Sequence, residues 1–241
     1  MIKFFRNIRK SLINQNQMGK YVKYALGEIL LVMIGILLAV QVNAWYQDSQ
    51  DRKLEKQLLM ELKNSITRDS LEIARNLLNF KRIRKNAIYL DSMLTIKANY
   101  TPKMDSAFGR ISIFFVTESD YVIFDRIKSL KSGIISNDSL FTSLSNYYNF
   151  SKFLAGVDRY FQNGAYFRQD VYPKYFKHYR YGSYAQIANY EELRVSNEIR
   201  VAIDYCINDA NYYRNQTKHR KEHARELIQD ISQELKRFKN D

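Results

Sequence analysis

Apolar residues follow two different rhythms along this chain. Between Ile29 and Val40 no polar side chain interrupts the sequence, so a helix there is hydrophobic all round. From Leu54 onward the apolar positions thin to one stripe, Leu54, Leu58, Leu62, Ile66, Ile73, Leu77 and Phe80, with Lys, Glu, Arg and Asp elsewhere. That spacing predicts an amphipathic helix from about residue 47 to about residue 96, ended ahead of Pro102. Near the C-terminus Ile199, Ile203, Cys206, Ala210, Tyr213, Thr217, Arg220, Ala224, Leu227, Ile231, Leu235 and Phe238 alternate steps of four and three almost throughout. This is a coiled-coil seam on a helix over about 196–238, its apolar character weakest at Thr217 and Arg220.

Shorter elements are expected between the two long helices. One helix covers about Met104–Phe115, and a second runs from Asp120 to Lys131 with Thr117 or Ser119 as its cap and Gly133 as its terminator. A third starts from a cap at Ser136 or Asn137 and passes Leu140, Leu144, Tyr147, Tyr148, Phe153 and Val157 to about Phe167. Strand-like alternation is confined to Ile111–Val116. The predicted fold class is therefore all-α: a single N-terminal transmembrane helix, then an elongated helical bundle with a long antiparallel coiled-coil pair, capped by residues 102–190. The same seam is also compatible with pairing between chains in a homo-oligomer.

Composition agrees with long helices, since 8 Gly and 2 Pro in 241 residues leave few turns. The net charge of +13 changes meaning once it is located. Residues 1–23 hold six cations and no acid, so the remaining residues carry only +7 and a nucleic-acid partner loses its main support. Tyr24–Trp45 is 22 residues, a helix of ~33 Å against a bilayer core of ~30 Å, with Tyr21, Tyr24, Trp45 and Tyr46 at the interfacial positions. Three regions result: a basic amphipathic tail at 1–23, a transmembrane helix at 24–46 and a helical domain at 47–241. The positive-inside rule places the tail in the cytoplasm, against an anionic leaflet, and the domain on the far side of the membrane. A cleaved signal peptide ending at Val42-Asn43-Ala44 is the competing reading, which the long basic tail and full-length span disfavour. Glu28 lies shallow enough to snorkel toward Lys20 and Lys23, and Gly35 with Ala39 makes a single small-xxx-small step.

Two stretches resemble a known family. Lys23-Tyr-Ala-Leu-Gly-Glu-Ile-Leu-Leu-Val-Met-Ile-Gly-Ile-Leu-Leu-Ala-Val-Gln-Val-Asn-Ala-Trp45 looks like the start of bacterial envelope proteins classed as a domain of unknown function. Asp120-Tyr121, Leu130-Lys-Ser-Gly133, Asn137, Leu140 and Tyr147-Tyr148 resemble that family's second conserved stretch, whereas Ala44 and Tyr46 depart from its usual polar residues around the tryptophan. The resemblance implies one anchor in the inner membrane of a Gram-negative cell and a helical periplasmic domain. It implies no catalytic residues.

Chemistry-bearing motifs are sparse. His219-Arg-Lys-Glu-His223 matches H-x-x-E-H, which binds zinc in some peptidases, yet few residues follow it and Arg220, Lys221 and Arg225 repel a dication. Solvated helix surface is the expected state of both histidines. Glu191 and Glu192 are sequence neighbours on a helix and point different ways. Cys206 reads as a small buried hydrophobe. Tyr172–Tyr184 interleaves aromatic and cationic side chains, as anion- or glycan-binding surfaces do, with a Tyr-rich cover over helix ends as the plainer reading. No catalytic, cofactor-binding or metal residues are therefore assigned. The expected function is a non-catalytic membrane-anchored scaffold or tether acting on itself or an envelope protein partner, with a ligand-sensing module as the alternative.

Overall fold

A computed structural model describes residues 18–114, 116–161 and 163–238. Most of the basic tail, up to residue 17, lies outside the described residues. Helix α1 spans Met18–Thr95, α2 Pro102–Ile111, α3 Val122–Ser129, α4 Asp138–Phe161 and α5 Asn163–Tyr166. A π-helical turn at Phe167–Val171 leads into α6 (Tyr172–Tyr175), a two-stranded antiparallel hairpin of β1 (Phe176–Arg180) and β2 (Tyr184–Ile187), α7 (Tyr190–Val195) and α8 (Asn197–Arg237). The chain divides into two compact units, Met1–Leu54 and Glu55–Asp241, and α1 contributes to both.

In the first unit α1 contains an apolar window of mean hydropathy 2.4, long and apolar enough to cross a membrane, with none of it buried. Leu26 is 56% exposed and Leu37 64%, and the large apolar residues between them are exposed as well, from Met33 at 52% to Leu31 at 61%. Gly35 meets nothing within 4 Å.

The second unit has a conventional interior. The α1 stripe is buried as its spacing predicts, with Leu58, Leu62, Ile66, Ile73 and Phe80 fully enclosed, and it continues to Ile83, Ala87, Leu90 and Leu94. From Ile199 to Ile231 every seam position of α8 is buried, and only Leu235 and Phe238 at its end are half-exposed. Phe80 stacks on Tyr213 with ring centroids 5.4 Å apart, Arg84 Nε donates to Asn211 Oδ1 at 2.7 Å, and an Arg200 guanidinium nitrogen donates to the Leu94 carbonyl at 3.3 Å. Residue numbers rise on α1 as they fall on α8, so the two helices run antiparallel where they touch. Helix α4 packs on the same seam, placing Leu154 and Val157 in one cluster with Phe80, Ile83, Ala210 and Tyr213. The seam is thus filled within one chain.

Local signals explain most boundaries. Asn137 accepts the Leu140 amide at 3.1 Å and starts α4, and Ser196 accepts the Ile199 amide at 3.3 Å and starts α8. Gly133 takes a left-handed backbone, φ +78°, but α3 ends at Ser129 with Leu130 as its cap, so Gly133 shapes the following turn and does not close the helix at Lys131 as expected. Four further expectations need correction. Helix α2 stops at Ile111, and the alternation at Ile111–Val116 builds no strand among the described residues. Helix α3 starts at Val122, whose amide is met by the Asp120 carboxylate at 3.1 Å and not by Thr117 or Ser119. Helix α4 ends at Phe161, ahead of the expected Phe167. The chain also contains a hairpin, because Tyr181-Gly182-Ser183 turns tightly with Gly182 at φ +68° and the flanking strands bury Phe176, Ala185 and Ile187. The hairpin lies against α2, where a Cβ on Gly109 would sit 2.3 Å from the Tyr184 Cα, so only glycine permits this approach.

Candidate functional site

The weak point of the α8 seam is where polar side chains converge. Arg220 occupies a seam position seven residues after Tyr213 and is fully buried, which an arginine tolerates only when its donors are met. Its Nη1 donates to the Thr117 carbonyl at 2.5 Å and its Nη2 to Ser119 Oγ at 2.8 Å. Ser119 Oγ also accepts from Ser151 at 3.0 Å and donates to the Tyr147 hydroxyl at 3.4 Å, and Tyr147 donates to Asp69 Oδ2 at 2.9 Å. A hydrogen-bonded chain therefore runs from a buried cation on α8 to a buried carboxylate on α1, through α4 and the segment before α3. Thr117 Oγ1 extends it to Asn76 Oδ1 at 3.3 Å.

Burial sets the electrostatics of this layer. It pushes the Tyr147 hydroxyl up to about 12, with the Asp69 charge adding to the rise and Arg220 opposing it. Tyr148 is raised further in the same direction, again by burial first and Asp69 second. Both phenols stay protonated at neutral pH, and Tyr147 uses its proton as a donor to Asp69. Among the described residues, the Tyr148 hydroxyl, Asn76 Nδ2, Thr217 Oγ1 and Arg220 Nε are buried there without a hydrogen-bond partner.

The layer brings together much of the second motif singled out in the sequence. Tyr147 carries the relay, while Tyr148 stacks on Phe124 of α3 at 4.5 Å and leans on Tyr121 at 5.8 Å. Asn137 donates to Glu234 Oε2 at 2.8 Å, and Glu55 accepts both the Ser136 amide at 2.6 Å and its hydroxyl at 2.8 Å. The α3–α4 turn is thereby tied to the first helix and the last. A cleft of about 580 Å³ opens beside α3 and α4, lined by Tyr121, Phe124, Lys128, Tyr148, Asn149 and Lys152 among others. What such a layer does chemically is fix register: any slip of α8 against α1 would strand Arg220 and Asp69 without partners.

The Tyr172–Tyr184 segment divides into a buried and an exposed half. Tyr172 donates to the Phe108 carbonyl at 2.8 Å, shares a hydrogen bond with Ser112 at 2.8 Å and stacks on Tyr179 at 4.2 Å. Tyr175 and Lys174 both reach Glu198, at 2.7 and 2.5 Å, and these donors lower the Glu198 carboxyl below its ordinary value. These tyrosines cover the far end of the long helices, as the plainer reading expected. Lys177, His178, Arg180 and Tyr181 remain exposed on the hairpin.

His219 and His223 lie on the solvated side of α8, with His223 edge-on to Phe150 at 5.9 Å. Among the described residues no group of three or more His, Cys, Asp and Glu is placed to hold a metal ion. Cys206 is fully buried, and burial raises its thiol pKa, the state expected of a small hydrophobe. Sequence reasoning missed Asp69, Thr117 and Ser119 as partners of Arg220. The signal available was an arginine at a position where the seam asks for an apolar residue. Comparison with protein-family models, curated proteins and solved structures finds no match to this chain.

Proposed function

We propose that this chain is a non-catalytic, single-pass scaffold or tether of the bacterial envelope, belonging with the domain-of-unknown-function family it resembles. Residues 24–46 cross the inner membrane, the basic tail lies on the cytoplasmic leaflet, and the unit from Glu55 onward works in the periplasm through protein contacts. The observation that carries this reading is the apolar window of α1, at mean hydropathy 2.4, none of which is buried among the described residues. Six unopposed cations ahead of it support the orientation. The antiparallel contacts of α1 and α8 support a coiled-coil pair, and the buried Arg220 layer supports a rigid and fixed register suited to holding a partner at a set place.

The test combines fractionation with in-cell crosslinking of the full-length chain. The protein should sediment with inner membranes and resist alkaline carbonate extraction, and a mild amine-reactive crosslinker should trap the periplasmic unit in a defined larger species. Release into the soluble fraction, or recovery of the uncrosslinked monomer alone, contradicts the proposal.

A further inference from the structure

The positive charge beyond the tail is concentrated in one belt. Residues 73–90 of α1 hold Arg75, Lys81, Arg82, Arg84 and Lys85, and residues 210–221 of α8 hold Arg214, Lys218, Arg220 and Lys221, with no acid in either stretch. Those nine cations exceed the whole net charge of +7 past residue 23, so everything else there is net negative by two. Arg220 is consumed by the buried layer and Arg75 by an ion pair with Glu72. Lys81, Arg82, Lys85, Arg214, Lys218 and Lys221 make no ion pair among the described residues, and all but the half-buried Arg214 are exposed.

The two cationic stripes meet along one edge of the helix pair. On α8, Asn211, Arg214, Lys218, Lys221 and Arg225 step by three and four and so share a face. That face borders α1 at both ends: Asn211 holds the Arg84 guanidinium, and Lys221 and Arg225 line a cleft of about 560 Å³ with Ser70, Ile228, Gln229 and one acid, Glu222. From Asn211 to Arg225 the edge is ~21 Å long. Helix pairs usually set opposite charges across such flanks. Here Lys81, Arg84 and Lys85 fall within one turn of α1 at the end where Asn211 and Arg214 lie, with the buried Asp209 before them on α8 and Glu222 beyond Lys221. Beside it on α1, Leu71 and Leu78 are 63% and 64% exposed, one heptad apart, on the outward side of Lys81 and Lys85.

We propose that this edge is the docking surface for an acidic amphipathic segment of a partner protein, whose carboxylates meet Lys81, Arg84, Arg214 and Lys218 while its apolar residues cover Leu71 and Leu78. The proposal rests on the scaffold reading and names the chemistry of its partner. Charge complementarity supplies the anion, and the exposed leucines select a polypeptide over a sugar or phosphate polymer.

The test uses full-length protein in nanodiscs and a fluorescent 21-residue helical peptide of Glu, Leu and Ala. Its Gln-for-Glu counterpart and polyglutamate serve as comparison probes. The acidic peptide should bind, at least tenfold more tightly than either comparison probe, with affinity falling as salt rises. Arg214→Glu with Lys218→Glu should weaken it at least tenfold, and Leu71→Ser with Leu78→Ser several-fold. All four sites lie outside the core, and relief of repulsion should leave the thermal midpoint unchanged or higher, which separates lost binding from lost folding. Equal binding of polyglutamate, or charge reversal changing the affinity less than twofold, overturns the proposal, as does self-association through this edge in place of peptide binding. In-cell photocrosslinks from Lys218 and Leu78 distinguish this failure from that of the scaffold reading: crosslinks elsewhere but absent here would sink the docking surface alone.

Discussion

Leu37 and Leu71 belong to the same helix and are almost equally exposed, 64% and 63%, yet they sit in opposite sequence environments. From Ile29 to Val40, around Leu37, every face of the helix is apolar, and none of it is buried among the described residues. Around Leu71 the apolar residues form a stripe whose core, from Leu58 to Leu94, is buried against α4, α8 and the capping elements, leaving Leu71 as an isolated outlier on a charged surface. The difference lies in periodicity. A helix apolar all round needs a solvent that is apolar all round, and a helix apolar on one stripe needs only neighbours.

The sharpest way to break that comparison is to introduce charge on the uncovered region. Leu31→Arg with Leu38→Arg should cost about 5–7 kcal/mol of membrane insertion, since each arginine near a span centre costs about 2.5–3.5 kcal/mol. The protein should then leave the membrane fraction while the Glu55–Asp241 unit keeps its circular-dichroism melt. The matching change in the covered region is Phe80→Ala, which removes the ring stacked on Tyr213 and should lower stability by about 3–5 kcal/mol in denaturant titrations without altering membrane recovery.

A smaller effect is expected in the polar layer. Arg220→Ala leaves the buried Thr117 carbonyl without its donor, takes one of three partners from Ser119 and opens a cavity in the layer, and should cost about 3 kcal/mol, whereas Lys218→Ala, two residues away and exposed, should stay within about 0.5 kcal/mol. The smallest is the effect of pH. Tyr147 is held protonated up to about 12 in the fold and ionises near 10 when unfolded. Its contribution is complete below pH 10 and is lost as pH rises through about 12, because there the unfolded state releases its proton first. Tyr148 is shifted in the same direction. Urea titrations should therefore give a level midpoint from pH 7 to 9 and a falling one above 10, and the fall should be shallower, by about 2.7 kcal/mol at most, in Tyr147→Phe.

Legibility from sequence followed the same division. The C-terminal end of α1 and both ends of α8 were readable to within about a residue because a single apolar period runs for many turns and leaves little freedom, whereas α1 starts at Met18, six residues ahead of the expected span. The hairpin was not, since its strands are four and five residues long and their bulged register breaks the alternation between Phe176 and His178. Tyr181-Gly182-Ser183 was the one local signal. Asp120 and not Thr117 or Ser119 meets the first amide of α3, because the Ser119 hydroxyl is committed to Arg220 and the Thr117 hydroxyl to Asn76, long-range demands no local window contains. The basic edge was visible as Lys81-Arg-Ile-Arg-Lys85, but that it faces Arg214 and Lys218 depends on the antiparallel pairing.

The central claim is that two stretches of α1 with equally exposed side chains face different solvents. Single-cysteine scanning in a Cys206→Ala background, with a membrane-impermeant maleimide applied to open membrane fragments, tests it directly. The account predicts no labelling at any position from Ile29 to Val40, around the full helix, and rapid labelling at Val122 and Val195, which are 73% and 71% exposed. Labelling of one helical face between Ile29 and Val40 would place that stretch in water and contradict it.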